Sequence, residues 1–409
     1  AAGTAQNWIN ASDDPKLEFG EIRGTLWTGF NIESVQWQQN ETRLEAEQVQ
    51  LRVDWSELWY RVIRINHLSA KVVRVDAPPS DDDEPFMLPD KIAVPVDIEL
   101  NQFAVEQLLI NGEVLRQLNA TAAVKSGQLQ VGNFSINVQD TQIASAFNLI
   151  LEKPYQIDGS VNAQRGFDDL LLDAHVAAKG SLERLELAID AKGENPERAD
   201  QSQSVQAQAV LTPFRSTPVE TVQLDARNFN PAHWLNGAPR AALTIVANVQ
   251  PNEDFSETVG DISVRNAQPA TLQAGGVPIS VMQTRFKLTL SEQLPQQLNV
   301  WVDELLFADG KRQAGQAKAV LQWRASERVG DDVASMDPLA GDMNFELNAN
   351  NVDASVFEQL PQRLALNASI QGAKTGQRLQ VTKLVLRDRG AELRGQVSVD
   401  LSGKMPADI

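Results

Sequence analysis

Few side chains in this sequence are placed to do chemistry. The three histidines, His67, His175 and His233, lie far apart along the chain. A catalytic histidine needs a nucleophile or a carboxylate beside it, and a metal site needs several ligands together. Only the folding of distant segments onto one another would assemble such a site. We therefore interpret the histidines as ordinary strand or turn residues and predict no catalytic, cofactor-binding or metal-binding residues.

Other familiar catalytic patterns are missing as well. The acidic run at residues 81–84 (DDDE) lacks the spaced ligands and central glycine of a dedicated calcium loop, which favours a solvated linker. The sequence contains no nucleophile elbow, phosphate-binding loop or dinucleotide fingerprint. Carboxylates are plentiful enough for a glycosidase dyad, but no spacing singles out a pair. We predict that the protein is not an enzyme and needs no cofactor.

Tryptophan is the one large aromatic residue that clusters. Trp27, Trp37, Trp55 and Trp59 all lie near the start of the chain. Exposed rings of this kind can form a platform for carbohydrate, whereas buried rings can fill the core of a small domain. We favour the core interpretation for these four residues.

Composition narrows the class of protein. The 409 residues carry a formal net charge of −18 and include no cysteine. The acidic excess excludes a nucleic-acid partner and disfavours adsorption onto anionic headgroups. A chain without thiols suits an oxidising compartment such as the bacterial periplasm. No apolar stretch reaches the roughly 18 residues of a membrane span. We also expect the chain to be a fragment of a longer protein.

Strict alternation of apolar and polar residues dominates the sequence. Met343, Phe345 and Leu347, for example, alternate with Asn344 and Glu346. Period-two alternation predicts β-strands with one apolar and one polar face. The residues that we assign to the apolar face are Phe134, Ile136, Val138, Leu185, Leu187, Ile189, Leu243, Ile245, Val249, Phe286, Leu288, Leu290, Met343, Phe345, Leu347, Leu364, Leu366, Ile370, Val397, Val399 and Leu401.

Helical signals are short. We predict helices of one or two turns at residues 56–60, 231–235 and 354–358, the last two capped by Asn230 and Asp353. No predicted helix is long enough to cover a sheet. The sequence therefore predicts an all-β protein whose strands have apolar faces with little to cover them.

The chain also shows an internal repeat and several breaks. Residues 222–234 align without gaps with residues 345–357, an offset of 123 residues between Val222 and Phe345. This favours an array built by repetition over two unrelated globules. We predict an N-terminal module at 1–77, an acidic, proline-rich linker at 78–91, and a repetitive β-region at 92–409 that continues beyond the fragment. Further breaks are predicted near 193–204 and 325–342.

The N-terminal segment carries a family resemblance. Residues 24–29 (GTLWTG), 35–38 (VQWQ) and 53–59 (VDWSELW) are followed by the acidic, proline-rich break. This order resembles the start of the mature periplasmic part of the TamB family, the translocation and assembly module subunits within the AsmA-like superfamily. The first motif is also similar to subunit N of type II secretion systems, but the order of the motifs favours TamB. The strands after residue 92 resemble the family's repetitive body in pattern.

The resemblance implies an architecture, a location and partners. The implied fold is an elongated, curved β-sheet folded into a taco-like apolar groove. The implied location is the periplasm, with an inner-membrane anchor that is absent from this fragment. The implied partners are phospholipid acyl chains and a TamA-like outer-membrane barrel, which would be contacted through the missing C-terminal part.

The resemblance implies two alternative functions. In the first, the protein is a bridge that moves phospholipids between the inner and outer membranes along the groove, which the alternating apolar residues assigned above would line. In the second, it is a scaffold or chaperone that helps TamA to assemble autotransporters and other outer-membrane barrels by templating their strands. A passive β-solenoid is a third possibility, but such proteins show a regular period of roughly 20–30 residues that this sequence lacks.

Overall fold

The computed structural model describes residues 16–39, 42–77, 89–167, 170–195, 202–214, 218–235, 237–291, 294–325, 341–358 and 364–401. Nearly all of this part of the chain is β-strand, and its helices span only one or two turns. The fold is all-β, as predicted. It divides into two compact units, residues 1–183 and 184–409.

The first unit is a sheet of antiparallel neighbours with one parallel pair. The parallel pair joins the strands on either side of the predicted linker, with Val62 beside Asp97 and Val75 beside Ile110. The two short first strands both pair with the third. The strands are β1 (Lys16–Phe19), β2 (Ile22–Thr25), β3 (Gly29–Gln39), β4 (Thr42–Asp54), β5 (Val62–Asp76), β6 (Asp97–Ile110), β7 (Glu113–Lys125), β8 (Gln128–Val138), β9 (Thr141–Ile150), β10 (Gln156–Phe167) and β11 (Leu170–Ser181).

The second unit is an antiparallel sheet in which each strand pairs with the next along the chain. Its strands are β12 (Arg184–Glu194), β13 (Gln203–Leu211), β14 (Val219–Phe229), β15 (Leu243–Pro251), β16 (Glu257–Asn266), β17 (Ile279–Ser291), β18 (Leu294–Asp309), β19 (Arg312–Arg324), β20 (Asp342–Asp353), β21 (Ala365–Thr375), β22 (Arg378–Asp388) and β23 (Ala391–Asp400).

The segment at 78–91 lies between β5 and β6. The segment at 193–204 overlaps the last two residues of β12 and the first two of β13, and the segment at 325–342 reaches the first residue of β20. Residues 78–88, which include the acidic run at 81–84, and residues 326–340 lie outside the described part of the chain. The domain boundaries proposed from the sequence remain predictions.

Helical turns occur at each of the three predicted places, as Trp55–Tyr60, Pro231–Trp234 and Ala354–Val356. Asn230 accepts a hydrogen bond from the Ala232 N–H, and Asp353 accepts one from the Ser355 N–H, so both act as the predicted N-caps.

The internal repeat recurs in three dimensions. Asn228 in β14 and Asn351 in β20 both adopt a left-handed backbone with φ of 50°. In each strand a β-bulge shifts the register at this point, and a helical turn follows. Asparagine tolerates this conformation better than most residues, which explains its use at the bulge. The aligned segments therefore build the same bulge and turn.

The tryptophan prediction was wrong for two of the four residues. The side chains of Trp27 and Trp59 are 87% and 91% exposed. Trp37 and Trp55 are half-buried. Trp27 lies in the turn between β2 and β3, and Trp59 lies in the helical turn after β4, so neither can reach the sheet core.

Buried cores are small and local. In the first unit, Val49 and Val105 are buried at the centre of a cluster that spans β3 to β7. In the second unit, the helical turn after β20 places Val356, which has no exposed surface, against Phe307 and Val352. Phe357 closes this cluster by meeting Phe307 edge to face, with ring centroids 5.2 Å apart.

Phenylalanine and glycine are paired across neighbouring strands at three places. Phe147 stands opposite Gly159, Phe286 opposite Gly260, and Phe345 opposite Gly372. In each case a Cβ added at the glycine would overlap the phenylalanine side chain. The Phe286 and Phe345 rings therefore lie over their glycines, whereas Gly159 lies close to Phe147 Cβ.

An ion-pair network ties the parallel pair to its neighbour. Glu99 in β6 accepts a hydrogen bond from Arg64 Nε in β5 at 2.6 Å and is also paired with Lys125 in β7. Arg64 reaches in addition to Glu57 in the helical turn, at 2.8 Å. The hydrogen bond from Arg64, followed by that from Lys125, lowers the pKa of Glu99 from 4.5 to about 2.

We predict that Gly372→Ala destabilises the protein. A new Cβ would lie 2.6 Å from the Gln380 carbonyl oxygen and overlap the Phe345 ring, so backbone must move. The cost should be about 1–3 kcal/mol in the free energy of unfolding, measured by urea denaturation. Gly395→Ala is the matched control, because its Cβ would meet only Leu384 Cδ2, at 3.8 Å. Equal stability of the two variants would contradict the packing described here.

We predict that Glu99 makes stability depend on acid pH. Its folded-state pKa lies below the unfolded value, so its contribution is complete above about pH 5 and is lost as the pH falls toward 2. Because Lys125 is half-exposed, screening reduces the contribution to about 1–2 kcal/mol at neutral pH. Glu99→Gln should lower the urea midpoint at pH 7 and flatten its decline between pH 5 and 3. Glu106→Gln, an exposed change on the same strand, should leave that decline intact.

Candidate apolar binding surface

The strand register joins apolar side chains into rows that cross the whole second unit. Residues directly opposite in a sheet point to the same face, so the pairing defines each row. One row crosses all twelve strands without a polar side chain. It consists of Leu187, Ala209, Val222, Val249, Gly260, Phe286, Val300, Leu321, Phe345, Gly372, Val381 and Val397.

The adjacent row has the same character. Thr284 is its one polar side chain, and the Thr284 hydroxyl is buried without a hydrogen-bond partner. The row consists of Ile189, Ala207, Leu224, Ala247, Ile262, Thr284, Val302, Ala319, Leu347, Ile370, Leu384 and Gly395. We call the side of the sheet that carries these two rows the apolar face of the second unit.

The first unit has an apolar face of its own. One row runs through Ile63, Ile98, Val124, Leu129, Leu149, Ile157 and Gly180, and so crosses β5 to β11. The next row runs through Leu100, Ala122, Val131, Phe147, Gly159 and Ala178. Polar residues enter further along the strands, where Phe134 stands opposite Ser145.

The residues assigned from the sequence fall on these faces. Phe134, Ile136 and Val138 share one side of β8 in the first unit. In the second unit, the assigned strand residues all lie on the apolar face, and the register brings them together across the sheet. Leu364 precedes β21 and Leu401 follows β23, so neither is part of a strand.

Most of these side chains are half-buried. Ile136 and Leu288 are buried, whereas Val397 and Leu401 remain exposed. The cause is that each strand contacts chiefly its hydrogen-bonded neighbours. Within the described residues, no second sheet or long helix lies on the apolar face.

Sequence reasoning missed part of the face. Val300, Val302 and Leu321 complete the rows in β18 and β19. Trp301 separates the two valines and Val320 precedes Leu321, so strict apolar–polar alternation, the signal used for the other strands, fails here. Beyond Val302 a bulge shifts the register, and the apolar positions resume at Leu305. A bulge inserts one residue and breaks period-two alternation, although the side chains keep to the same face.

The opposite face carries the charges. Arg285 forms a two-pronged ion pair with Asp303, with distances of 2.6 and 2.8 Å, and its guanidinium also stacks over the Trp301 ring. Lys287 pairs with Glu257 at 2.6 Å. The hydrogen bond from Arg285 lowers the pKa of Asp303, which keeps this carboxylate ionised. This face is suited to water, and the apolar face is suited to hydrocarbon.

Lys374 is an exception within the apolar face. It stands opposite Met343 and Leu379, and it is buried. Its ammonium group donates a hydrogen bond to the Gly341 carbonyl oxygen at 2.7 Å. A buried cation needs such a partner, and this one holds the group at the end of the strand, away from the two apolar rows.

The apolar face can bind an apolar ligand through hydrophobic contacts. The two rows in the second unit offer aliphatic and phenylalanine side chains without a charged anchor. Across the described ranges, no group of three or more His, Asp, Glu or Cys side chains is arranged to hold a metal ion. None of the described helices is long and apolar enough to cross a membrane.

Comparison with known proteins identifies the N-terminal segment. The family model for the TamB N-terminal domain matches residues 2–86. This range contains the motifs at 24–29, 35–38 and 53–59 and ends between β5 and β6. Neither a curated protein nor a solved structure matches the chain. The chain therefore carries a TamB N-terminal domain at residues 2–86.

Proposed function

We propose that the apolar face conducts the acyl chains of phospholipids between the inner and outer membranes. The observation that carries this proposal is the row of apolar side chains that crosses all twelve strands of the second unit without a polar interruption. A hydrocarbon chain on this face would keep the same surroundings from one strand to the next.

The energetics favour transport on such a face. Each CH₂ group moved from hydrocarbon into water costs about 0.8 kcal/mol, so a chain of about sixteen carbons faces a barrier on the order of 10 kcal/mol. A continuous apolar surface removes most of this barrier. The headgroup would remain at the hydrated margin, since the rows offer it no charged partner and their one hydroxyl, on Thr284, is buried.

Movement also requires that no position holds the lipid too tightly. The phenylalanine rings of the face lie over Gly260 and Gly372, so the largest side chains are lowered into the sheet. The remaining residues of the rows are small or medium aliphatic groups. An even surface of this kind lacks the deep pocket that would trap a chain.

The family match supports the setting of this proposal. A TamB domain is typical of an envelope protein. We propose a periplasmic location, an inner-membrane anchor outside this sequence, and a TamA-like barrel as the outer-membrane partner. The protein would act as a conduit and not as an enzyme.

Charge placed on the apolar face should block transport. Phe345→Asp and Ile370→Asp each put a carboxylate in one of the two rows, and desolvating it opposes passage of an acyl chain. In the full-length protein we expect loss of phospholipid transport in cells and several-fold less phospholipid co-purifying with the chain. Asn344→Asp is the matched control, because it adds the same charge one residue away on the polar face.

The outcomes separate the two functions that the family suggests. Circular dichroism and urea denaturation establish which variants remain folded. Normal lipid transport in folded Phe345→Asp and Ile370→Asp proteins would rule out conduction on this face. Normal transport together with defective assembly of outer-membrane barrels would favour the scaffold function instead.

A further inference from the structure

Five apolar side chains project into solvent at one end of the first unit. Leu26 and Trp27 lie in the turn between β2 and β3, and Leu58, Trp59 and Tyr60 lie in the helical turn after β4. Trp27, Trp59 and Tyr60 are 87%, 91% and 78% exposed. We call these five residues the aromatic tip. Two exposed tryptophans beside exposed leucines are unusual on a soluble surface and mark an interaction site.

The strand register brings the two turns together. Phe30, at the start of β3, stands opposite Leu51, near the end of β4. The two turns therefore leave the sheet at the same end of adjacent strands. At this point Gly29 approaches so closely that an added Cβ would lie 2.7 Å from Arg52 Cγ. The aromatic tip thus draws on two connections, β2 to β3 and β4 to β5, at the same end of the sheet.

Both turns are fixed by their own hydrogen bonds. In the first, the Thr25 N–H donates to the Thr28 hydroxyl at 3.1 Å, and the Thr28 N–H donates to the Thr25 hydroxyl at 3.2 Å. In the second, Asp54 accepts from the Ser56 N–H, and Arg61 closes the turn in a left-handed conformation with its N–H on Leu58 O at 3.0 Å. The rings are therefore presented by ordered backbone.

The chemistry of the aromatic tip fits the interface of a phospholipid bilayer. Tryptophan and tyrosine combine an apolar ring with a polar N–H or O–H, and they favour the headgroup level of membranes. Leu26 and Leu58 are suited to the acyl region just below that level. A carbohydrate platform would instead need free hydrogen-bonding side chains beside the rings. Leucine precedes each tryptophan, and the hydroxyl of Thr28, which follows Trp27, is already bonded to Thr25.

Two of the nearby arginines are neutralised by ion pairs. Arg23 is paired with Glu21, and Arg64 with Glu57 and Glu99, in each case at 2.6–2.8 Å. Arg61, next to Tyr60, forms no ion pair with a described residue and can add attraction to anionic headgroups. The net charge of −18 opposes that attraction, so insertion of rings and leucines into the interface is the main source of binding and does not require acidic lipids.

We propose that the aromatic tip inserts into the interfacial layer of a phospholipid bilayer and docks this end of the chain on a membrane. The inference extends the proposed function, because a lipid-conducting face must load from a bilayer. It stands on separate residues, however, and the tip would bind vesicles whether or not the apolar face conducts lipid.

Flotation of the 409-residue chain with phosphatidylcholine vesicles tests the proposal. We expect Trp27→Ser/Trp59→Ser to reduce the vesicle-bound fraction by at least about tenfold, since each ring contributes most of its apolar area to insertion. Leu171→Ser/Val246→Ser is the control, because it removes two exposed apolar side chains elsewhere. Binding by the unaltered chain should persist in roughly 0.5 M salt, where the Debye length falls to about 4–5 Å and charge attraction is screened.

Brominated phospholipids add a positional readout. Bromine on the upper acyl carbons should quench part of the tryptophan fluorescence of the unaltered chain. In the double tryptophan variant this quenching should be absent. Since Trp27 and Trp59 make no core contacts, we expect the variant to keep its urea midpoint.

Three results would overturn the proposal: unchanged vesicle binding in the double tryptophan variant, equal loss in the control, or no vesicle binding with tryptophan-dependent binding to glycan strands. Loss of lipid conduction and loss of membrane docking are distinguished by two measurements, co-purifying phospholipid and vesicle flotation. Phe345→Asp should lose co-purifying phospholipid but still float with vesicles, and the tryptophan variant should show the reverse.

Discussion

The structure depends on one constraint: a layer of strands must keep one face apolar although no second layer among the described residues buries it. Backbone hydrogen bonds between neighbouring strands hold the sheet together, and side chains contribute mainly through their cross-strand pairs. A shift of the pairing register by one residue would move all the apolar side chains of a strand to the opposite face of the sheet. The unbroken row from Leu187 to Val397 shows that the register is kept through all twelve strands of the second unit.

The β-bulges and the helical turns that follow β14 and β20 maintain this register. At Asn228 and Asn351 the strand takes in an extra residue, turns through a capped helical turn, and starts the next strand in step. The buried cluster around Val356 fixes one such turn against β18 and β19. In the second unit this compact packing lies near the end of β20, and most of the apolar face remains available.

Much of this could be predicted from the sequence, because alternation is a direct record of a one-sided sheet. The strands through Phe345 and Phe286, the caps at Asn230 and Asp353, and the all-β class follow from local pattern alone. The fate of Trp27 and Trp59 could not be predicted, since a tryptophan in a turn looks the same whether its ring folds inward or outward. The parallel pairing of β5 with β6 also escaped prediction, because it depends on a distant contact and not on local pattern.

The repeat unit makes the reach of the apolar face an additive quantity. Neighbouring strands lie about 4.8 Å apart, so the twelve strands of the second unit provide a path of roughly 53 Å measured along the sheet. The repeated bulges at Asn228 and Asn351 are separated by six strands, which correspond to about 29 Å at the same spacing. Gain or loss of one such module would change the distance spanned without disturbing a single cross-strand pair elsewhere. The number of modules would then set the width of the gap between two compartments that the chain can span.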